Sequence, residues 1–115
     1  MSDSIVQMAE TEALYRHVNE GIASAARRFE AGEAEFVCEC SDVGCADRIV
    51  APLDDYERVR GEPTTFLLVP GHEEPSVERV VRRAPAYAIV DKVESTMRRI
   101  VRRLDTRSRA EPDAT

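Results

Sequence analysis

The stretch CECSDVGC, residues 38–45, places three thiols within eight positions. Cys38 and Cys40 are two residues apart on a predicted strand, so both side chains project from the same side. Cys45 follows a turn that can bring its thiol back toward the first two. His72, in the later stretch PGHE, adds an imidazole, a ligand of intermediate softness. Three thiolates and one imidazole are the ligand set of a tetrahedral structural zinc site. The sequence therefore predicts a zinc knuckle with Cys38, Cys40, Cys45 and His72 as its ligands.

Other interpretations of this stretch stay open. The cysteines are also compatible with reduced, partly buried thiols on a strand and turn, with an iron–sulfur cluster, or with a redox switch. The spacing is less diagnostic than paired C-x-x-C motifs, because His72 lies far from Cys45 in the sequence. The second histidine, His17, lies beside the apolar stripe of the first predicted helix and is interpreted as a surface residue.

Composition predicts a small cytoplasmic domain. The chain has 115 residues, 43% hydrophobic and 33% charged, with no Trp, which fits one domain with an aliphatic core. No apolar run reaches the ~20 residues of a membrane span, and the start MSDS lacks the basic and apolar regions of a secretory signal. Thiols stay reduced in the cytoplasm, where clustered cysteines more often bind metal than form disulfides.

Charge is distributed unevenly along the chain. The net charge is −6, yet residues 1–75 carry 6 arginines and 16 acidic residues, whereas residues 76–115 carry 9 arginines, one lysine and 6 acidic residues. The acidic first part disfavours general nucleic-acid binding. The basic second part favours contact with an acidic partner.

Hydrophobic periodicity predicts an α+β domain at residues 1–92: a small antiparallel sheet of three to four strands, a long N-terminal helix and the zinc knuckle. In the first helix, Leu14, Val18, Ile22, Ala25 and Phe29 form one apolar stripe, and Gly32 is the candidate left-handed cap. Phe36 is expected to share one strand face with the cysteines, with Glu39 on the other. The predicted helices are 6–29, 53–60 and 76–83, and the predicted strands are 33–40, 48–53, 65–69 and 87–92.

The C-terminal part has a different pattern. Residues 93–104 predict a basic amphipathic helix with Val93, Met97, Ile100, Val101 and Leu104 on one face. Residues 105–115 are polar and predict a disordered tail. An apolar stripe framed by arginines favours binding to a protein, either another copy or a different chain, although packing on its own sheet is equally compatible. Nucleic acid is a weaker possibility, because no aromatic residues accompany the arginines.

Several motifs resemble a family of small uncharacterised actinobacterial proteins with a C-x-C-x4-C … P-G-H cluster. The matching stretches are LYRHVNE (14–20), EFVCEC (35–40), CADRI (45–49), LDDYERVR (53–60), PTTF (63–66) and PGHE (70–73). The resemblance covers roughly residues 10–92 and implies a shared fold and a shared Cys/His cluster. It implies no activity, and the basic segment 93–109 departs from the acidic ending that is usual in the family.

The function predicted from these features is a non-catalytic zinc-binding interaction or regulatory module. A metal-dependent enzyme is the alternative: without His72 as a ligand, three cysteines leave an open zinc position, with Glu73 or Glu74 as a conceivable base. A nucleic-acid-associated regulator is the third hypothesis. No phosphate-binding loop or catalytic triad is evident in the sequence.

Overall fold

The computed structural model describes residues 2–107 and has the predicted α+β architecture. A long helix at the N-terminus precedes five short strands and two further helices. No helix within residues 2–107 has the length and apolar character needed to cross a membrane. In chain order, the elements are α1 (Ser2–Arg28), β1 (Glu33–Val37), β2 (Arg48–Pro52), α2 (Leu53–Val59), β3 (Thr65–Leu68), β4 (Glu78–Arg83), β5 (Ala88–Lys92) and α3 (Ser95–Leu104).

The strands form two antiparallel sheets instead of the single predicted sheet. β1 and β2 form a hairpin around the cysteine loop, as predicted, with Val37 opposite Arg48 next to the loop. The other sheet has the strand order β3-β5-β4, and its β4–β5 ladder is irregular between Val80 and Arg82. The hairpin explains why Cys38 and Cys45 lie close together.

The helix predicted at residues 76–83 is wrong, because Glu78–Arg83 is strand β4. Val80 pairs opposite Val90, and the Ala84 N–H donates to the carbonyl of Tyr87 where the chain turns back. Paired valines have little helix preference and fit a strand well. Pairing with β5 therefore decided the structure of this segment, and the sequence pattern alone did not reveal it.

The end of α1 also differs from the prediction. The chain adopts the left-handed conformation at Glu30, with a φ of 56°, and Gly32 is not a left-handed residue. Ala31 N–H donates to the carbonyl of Ala26, and Glu30 N–H donates to that of Arg27. These two bonds form a Schellman motif with Glu30 in the position that glycine usually occupies.

Most of the predicted apolar face of α1 points away from the core, although Ile22 at its edge packs against it. We call Leu14, Val18, Ile22, Ala25 and Phe29 the outer stripe; Leu14, Val18 and Phe29 are exposed. The opposite face, which we call the inner stripe, is buried and includes three polar side chains. Its members are Ala9, Glu12, Arg16, Asn19, Ala23 and Ala26. The prediction was wrong because polar residues of the inner stripe find partners inside the domain.

The core combines an aliphatic and aromatic centre with buried ion pairs. Phe36 stacks on Tyr56, with ring centroids 4.5 Å apart. Lys92 is fully buried between the carboxylates of Glu12, at 2.7 Å, and Glu78. These charged groups lie between α1 and the three-stranded sheet. A pattern of apolar residues would predict hydrophobic contacts at this position.

The apolar face of α3 packs against its own domain. Met97 and Val101 are buried, and Ile100 and Leu104 contact the core. This removes the apolar stripe as a docking face for a partner, although exposed arginines remain on α3.

The predicted tail at residues 105–115 begins too early in the sequence. Asp105 is buried and pairs with Arg60 at 2.5 Å, and Arg107 pairs with Glu20 and Glu57. The rest of the predicted tail, residues 108–115, lies outside the described residues.

Candidate metal centre

Three segments of the chain converge on the four predicted ligands. Cys38 and Cys40 follow β1, Cys45 lies in the loop before β2, and His72 follows β3. One ligand atom from each of the four residues lies within 4.8 Å of the others. All three cysteines are free thiols. The four side chains are therefore close enough to hold a metal ion.

The distances agree with a tetrahedral centre. His72 Nδ1 lies 3.6 Å from Cys38 Sγ and 3.7 Å from Cys45 Sγ. Zn–S and Zn–N bonds of ~2.3 and ~2.0 Å at tetrahedral angles place sulfur and nitrogen ~3.5 Å apart. The donor set and its spacing thus fit an ion of this size, with Nδ1 as the histidine ligand.

The strand leaves the hairpin at the cysteines and turns toward β3. Cys38 N–H still donates to the carbonyl of Asp47 at 3.1 Å, whereas Glu39 N–H donates to the carbonyl of Leu67 at 2.8 Å. This change of partner ends β1 earlier than predicted. It also brings Cys38 beside Val69, three residues before His72.

The cysteine loop is fixed from within and from α1. The Asp42 carboxylate accepts from Gly44 N–H at 2.8 Å, and the Asp42 carbonyl accepts from Cys45 N–H at 3.1 Å. The hydroxyl of Tyr15 lies 2.8 Å from the Asp42 carbonyl oxygen and 3.1 Å from that of Cys45. Helix α1 therefore positions the third thiol.

His72 is oriented by the turn before it and by an acidic residue. Gly71 has a φ of 93°, a conformation that glycine adopts without strain, and His72 N–H donates to the carbonyl of Val69 at 3.0 Å. Asp47 Oδ2 lies 3.4 Å from His72 Nε2. A carboxylate on the far nitrogen of a metal-binding histidine holds the tautomer that leaves Nδ1 free as a ligand.

Burial makes the thiolates costly without a cation. It raises the pKa of the Cys38 and Cys40 thiols, and the neighbouring Cys45 sulfur raises both pKa values further. The Val69 N–H, which donates to Cys38 Sγ at 3.2 Å, opposes the increase in the Cys38 pKa. A bound divalent cation supplies the charge that stabilises such clustered thiolates.

Glu39 is a site residue that sequence reasoning missed. Its carboxylate is fully buried and accepts hydrogen bonds from Asn19 Nδ2 at 2.9 Å, Leu67 N–H at 3.0 Å and Tyr56 at 3.3 Å. Arg16 lies 3.7 Å away. Alternation along the strand predicted only that Glu39 lies on the face opposite Phe36 and the cysteines. One sequence feature could have indicated a buried partner for Glu39. Arg16 and Asn19 are three residues apart, so they lie on one face of α1.

The two candidate catalytic carboxylates have different environments. Glu73 accepts a hydrogen bond from Gly71 N–H at 3.0 Å and so helps to fix the turn before His72. Glu74 accepts from the Ser76 hydroxyl at 3.0 Å and lines a solvent-open hollow of about 270 Å³ together with Cys40 and His72. Neither contact identifies a general base.

Comparisons with known protein families, with curated proteins and with solved structures found no match. The resemblance to the small actinobacterial proteins stays a prediction.

Proposed function

We propose that this chain is a zinc-stabilised, non-catalytic module for interaction or regulation. The convergence of Cys38, Cys40, Cys45 and His72, with all ligand atoms within 4.8 Å of one another, carries the proposal. Four protein ligands complete a tetrahedral zinc shell and leave no position for water or substrate, which is typical of structural sites. Zinc is favoured over harder divalent ions because thiolates are soft ligands.

The role of the ion is to tie together three segments that the rest of the fold holds incompletely. The loop between β1 and β2 contains few apolar side chains, and Val43 at its tip is 81% exposed. Ligation of Cys45 and His72 joins this loop to the end of β3. The free energy of zinc binding would then contribute directly to folding. A reduced cytoplasmic environment would keep the thiols available for the metal.

A protein is the partner class that fits best. The module is acidic overall, and the described arginines of α3 that remain exposed, Arg99, Arg102 and Arg103, form a small basic surface. An acidic protein could dock there through charge, without the apolar contacts that the sequence had predicted for this helix.

Elemental analysis of the purified protein tests the metal. We expect one zinc per chain in the wild type and a large loss in Cys40→Ser and His72→Ala. His17→Ala is the matched control, because His17 is exposed on α1 and distant from the cluster in sequence, and it should retain full zinc content. Equal zinc content in His72→Ala and wild type would contradict the four-ligand site.

Cobalt substitution separates a structural from a catalytic centre. Four-coordinate Co²⁺ with three thiolates should show intense visible absorption and sulfur charge-transfer bands that do not change with pH or with added small anions. An open catalytic position exchanges its water, and the spectrum would then change on addition of azide or cyanide. Such a change would favour the enzyme hypothesis.

A further inference from the structure

Most of the outer stripe is an apolar surface that residues 2–107 leave exposed, although Ile22 at its edge packs against the core. Leu14 is 61% exposed, Val18 43% and Phe29 76%, and Ala25 is half-buried between them. A surface helix normally turns such a stripe toward its own core. Here the inner stripe occupies the core, so the apolar side of α1 remains for another molecule.

One end of this face carries a hollow. Gln7, Glu10, Thr11 and Leu14 of α1 line it together with Val43 of the cysteine loop, and its volume is about 310 Å³. The other end carries Phe29, the most exposed aromatic side chain described. Thr11 and Phe29 are five helical turns apart, so they lie at the same angle around the helix and ~27 Å apart along it. A projecting ring and a shallow, solvent-open depression thus occupy opposite ends of one face.

We infer that this face joins two copies of the chain, with the two α1 helices antiparallel and Phe29 of each copy seated in the hollow of the other. In a dimer with two-fold symmetry, both copies use the same face. If the projection and the hollow lie at equal distances from the symmetry axis, the projection of each copy enters the hollow of the other, and the contact is made twice. The axis would pass close to Val18 and Gly21. This inference does not depend on which metal the cysteines bind.

Charge supports the same antiparallel register. Glu10 and Arg28 are also five turns apart, on one side of the outer stripe. Neither forms an ion pair with the rest of the described chain, and the Arg28 guanidinium lies 5.7 Å from the Phe29 ring centroid. The pairing that seats Phe29 in the hollow brings Glu10 of one copy opposite Arg28 of the other. Two complementary pairs would then flank the apolar contact.

Small residues near the axis permit close approach of the helices. A Cβ built on Gly21 meets nothing within 4 Å, so this position presents open backbone to solvent. In the proposed register, Val18 of one copy lies over Gly21 and Ala25 of the other. A large side chain over two small ones is the arrangement by which antiparallel helices interdigitate.

Sedimentation velocity of the full zinc-loaded chain over a concentration series tests the inference. We expect a monomer–dimer equilibrium that Phe29→Ser and Val18→Ser each weaken, with a Kd raised about tenfold or more. Val50→Ser is the matched control, because Val50 is 53% exposed on β2, outside this face, and its Kd should equal that of the wild type. Circular dichroism should show the same helix content for all four proteins.

A charge-exchange cycle tests the register. Glu10→Arg and Arg28→Glu should each weaken the dimer, and the double variant should recover the wild-type Kd to within about threefold. A wild-type chain that stays monomeric at about 1 mM would overturn the inference. So would a dimer that tolerates Phe29→Ser, or a double variant weaker than both single variants. Binding of the outer stripe only to a different protein would also overturn it.

Discussion

The two faces of α1 carry the opposite of what a surface helix usually carries. The inner stripe buries Glu12, Arg16 and Asn19, whereas the outer stripe exposes Leu14 and Phe29. Polarity alone therefore does not decide which face of a helix is buried. Partners decide it: a charged side chain can be internal when the fold supplies compensating groups.

Those compensating groups come from several parts of the chain. Arg16 donates to the carbonyls of Pro63, at 3.1 Å, and Thr65, and its guanidinium lies 3.6 Å from the Phe66 ring centroid. Lys92 approaches the same ring at 4.8 Å. The inner stripe is therefore held by directional contacts, which require one arrangement of α1 on the sheet. Within residues 2–107, the outer stripe has only the contact of the Phe29 ring with its neighbour Arg28.

Removal of Lys92 should have the largest effect on stability. Lys92→Met leaves the buried carboxylates of Glu12 and Glu78 without their shared cation, so we expect a loss of about 3–5 kcal/mol in the free energy of unfolding. Urea denaturation monitored by circular dichroism measures it. The triple variant Glu12→Gln, Glu78→Gln, Lys92→Met removes all three charges and should recover most of the loss. A loss below ~1 kcal/mol in the single variant would show that the pair contributes little.

The pH dependence of stability tests Glu12, one of the two buried carboxyl groups that contact Lys92. Burial raises the pKa of Glu12 to about 7 from its ordinary value of 4.5, and the Lys92 ammonium offsets this increase only in part. The folded state therefore holds this proton more tightly than the unfolded state does. The stabilisation that comes from protonated Glu12 is complete below pH 4.5 and is lost as the pH rises toward 7.

Glu12→Gln cannot lose that proton, so it isolates the effect. Between pH 4.5 and 7.5 the wild type should lose up to about 3 kcal/mol relative to Glu12→Gln. Denaturation of both proteins in matched buffers cancels the contribution of the candidate metal centre, whose residues are the same in both. A difference that stays constant with pH would mean that Glu12 is ionised in the folded state throughout.

The end of α1 offers a smaller, stabilising change. Glu30 adopts a φ of 56°, which costs energy for a side chain with a Cβ, so Glu30→Gly should raise the free energy of unfolding by about 1 kcal/mol. Gly32→Ala is the matched test of the sequence-based cap, because a Cβ on Gly32 meets nothing within 4 Å. Thermal melts should show no loss for Gly32→Ala; a clear loss would support Gly32 as the left-handed residue.

The smallest effect is expected on the outer stripe. At concentrations where the monomer predominates, Val18→Ser should change the free energy of unfolding by no more than about 0.5 kcal/mol, since Val18 is 43% exposed. Ala23→Ser on the inner stripe places a hydroxyl at a fully buried position and should cost about 1–3 kcal/mol. Equal costs for the two variants would contradict the assignment of the faces.

Local patterns predicted the cysteine loop and the turn before His72 well, and long-range packing poorly. The spacing of Cys38, Cys40 and Cys45 is a property of one short loop, and the turn before His72 is marked by Pro70 and Gly71, so proximity could be inferred. The α+β class followed from alternating helical and strand periods. The cysteine spacing and the Pro-Gly turn depend on neighbours in sequence, whereas the approach of His72 to the thiols depends on the contact between the end of β3 and the cysteine segment.

The errors have a common physical origin in partners that are distant in sequence. The inward face of α1 depends on Lys92 and Glu39, and strand β4 depends on pairing with β5. Burial of Asp105 depends on Arg60. No local pattern contains these pairings, so polar residues were assigned to the surface and paired valines to a helix.

The buried contact between Arg60 and Asp105 links the middle of the chain to its end. During translation, the guanidinium of Arg60 emerges long before the carboxylate that pairs with it at 2.5 Å. Arg107, which reaches Glu20 and Glu57, is made later still. We therefore expect this domain to complete its native packing only after Asp105 and Arg107 have left the ribosomal exit tunnel.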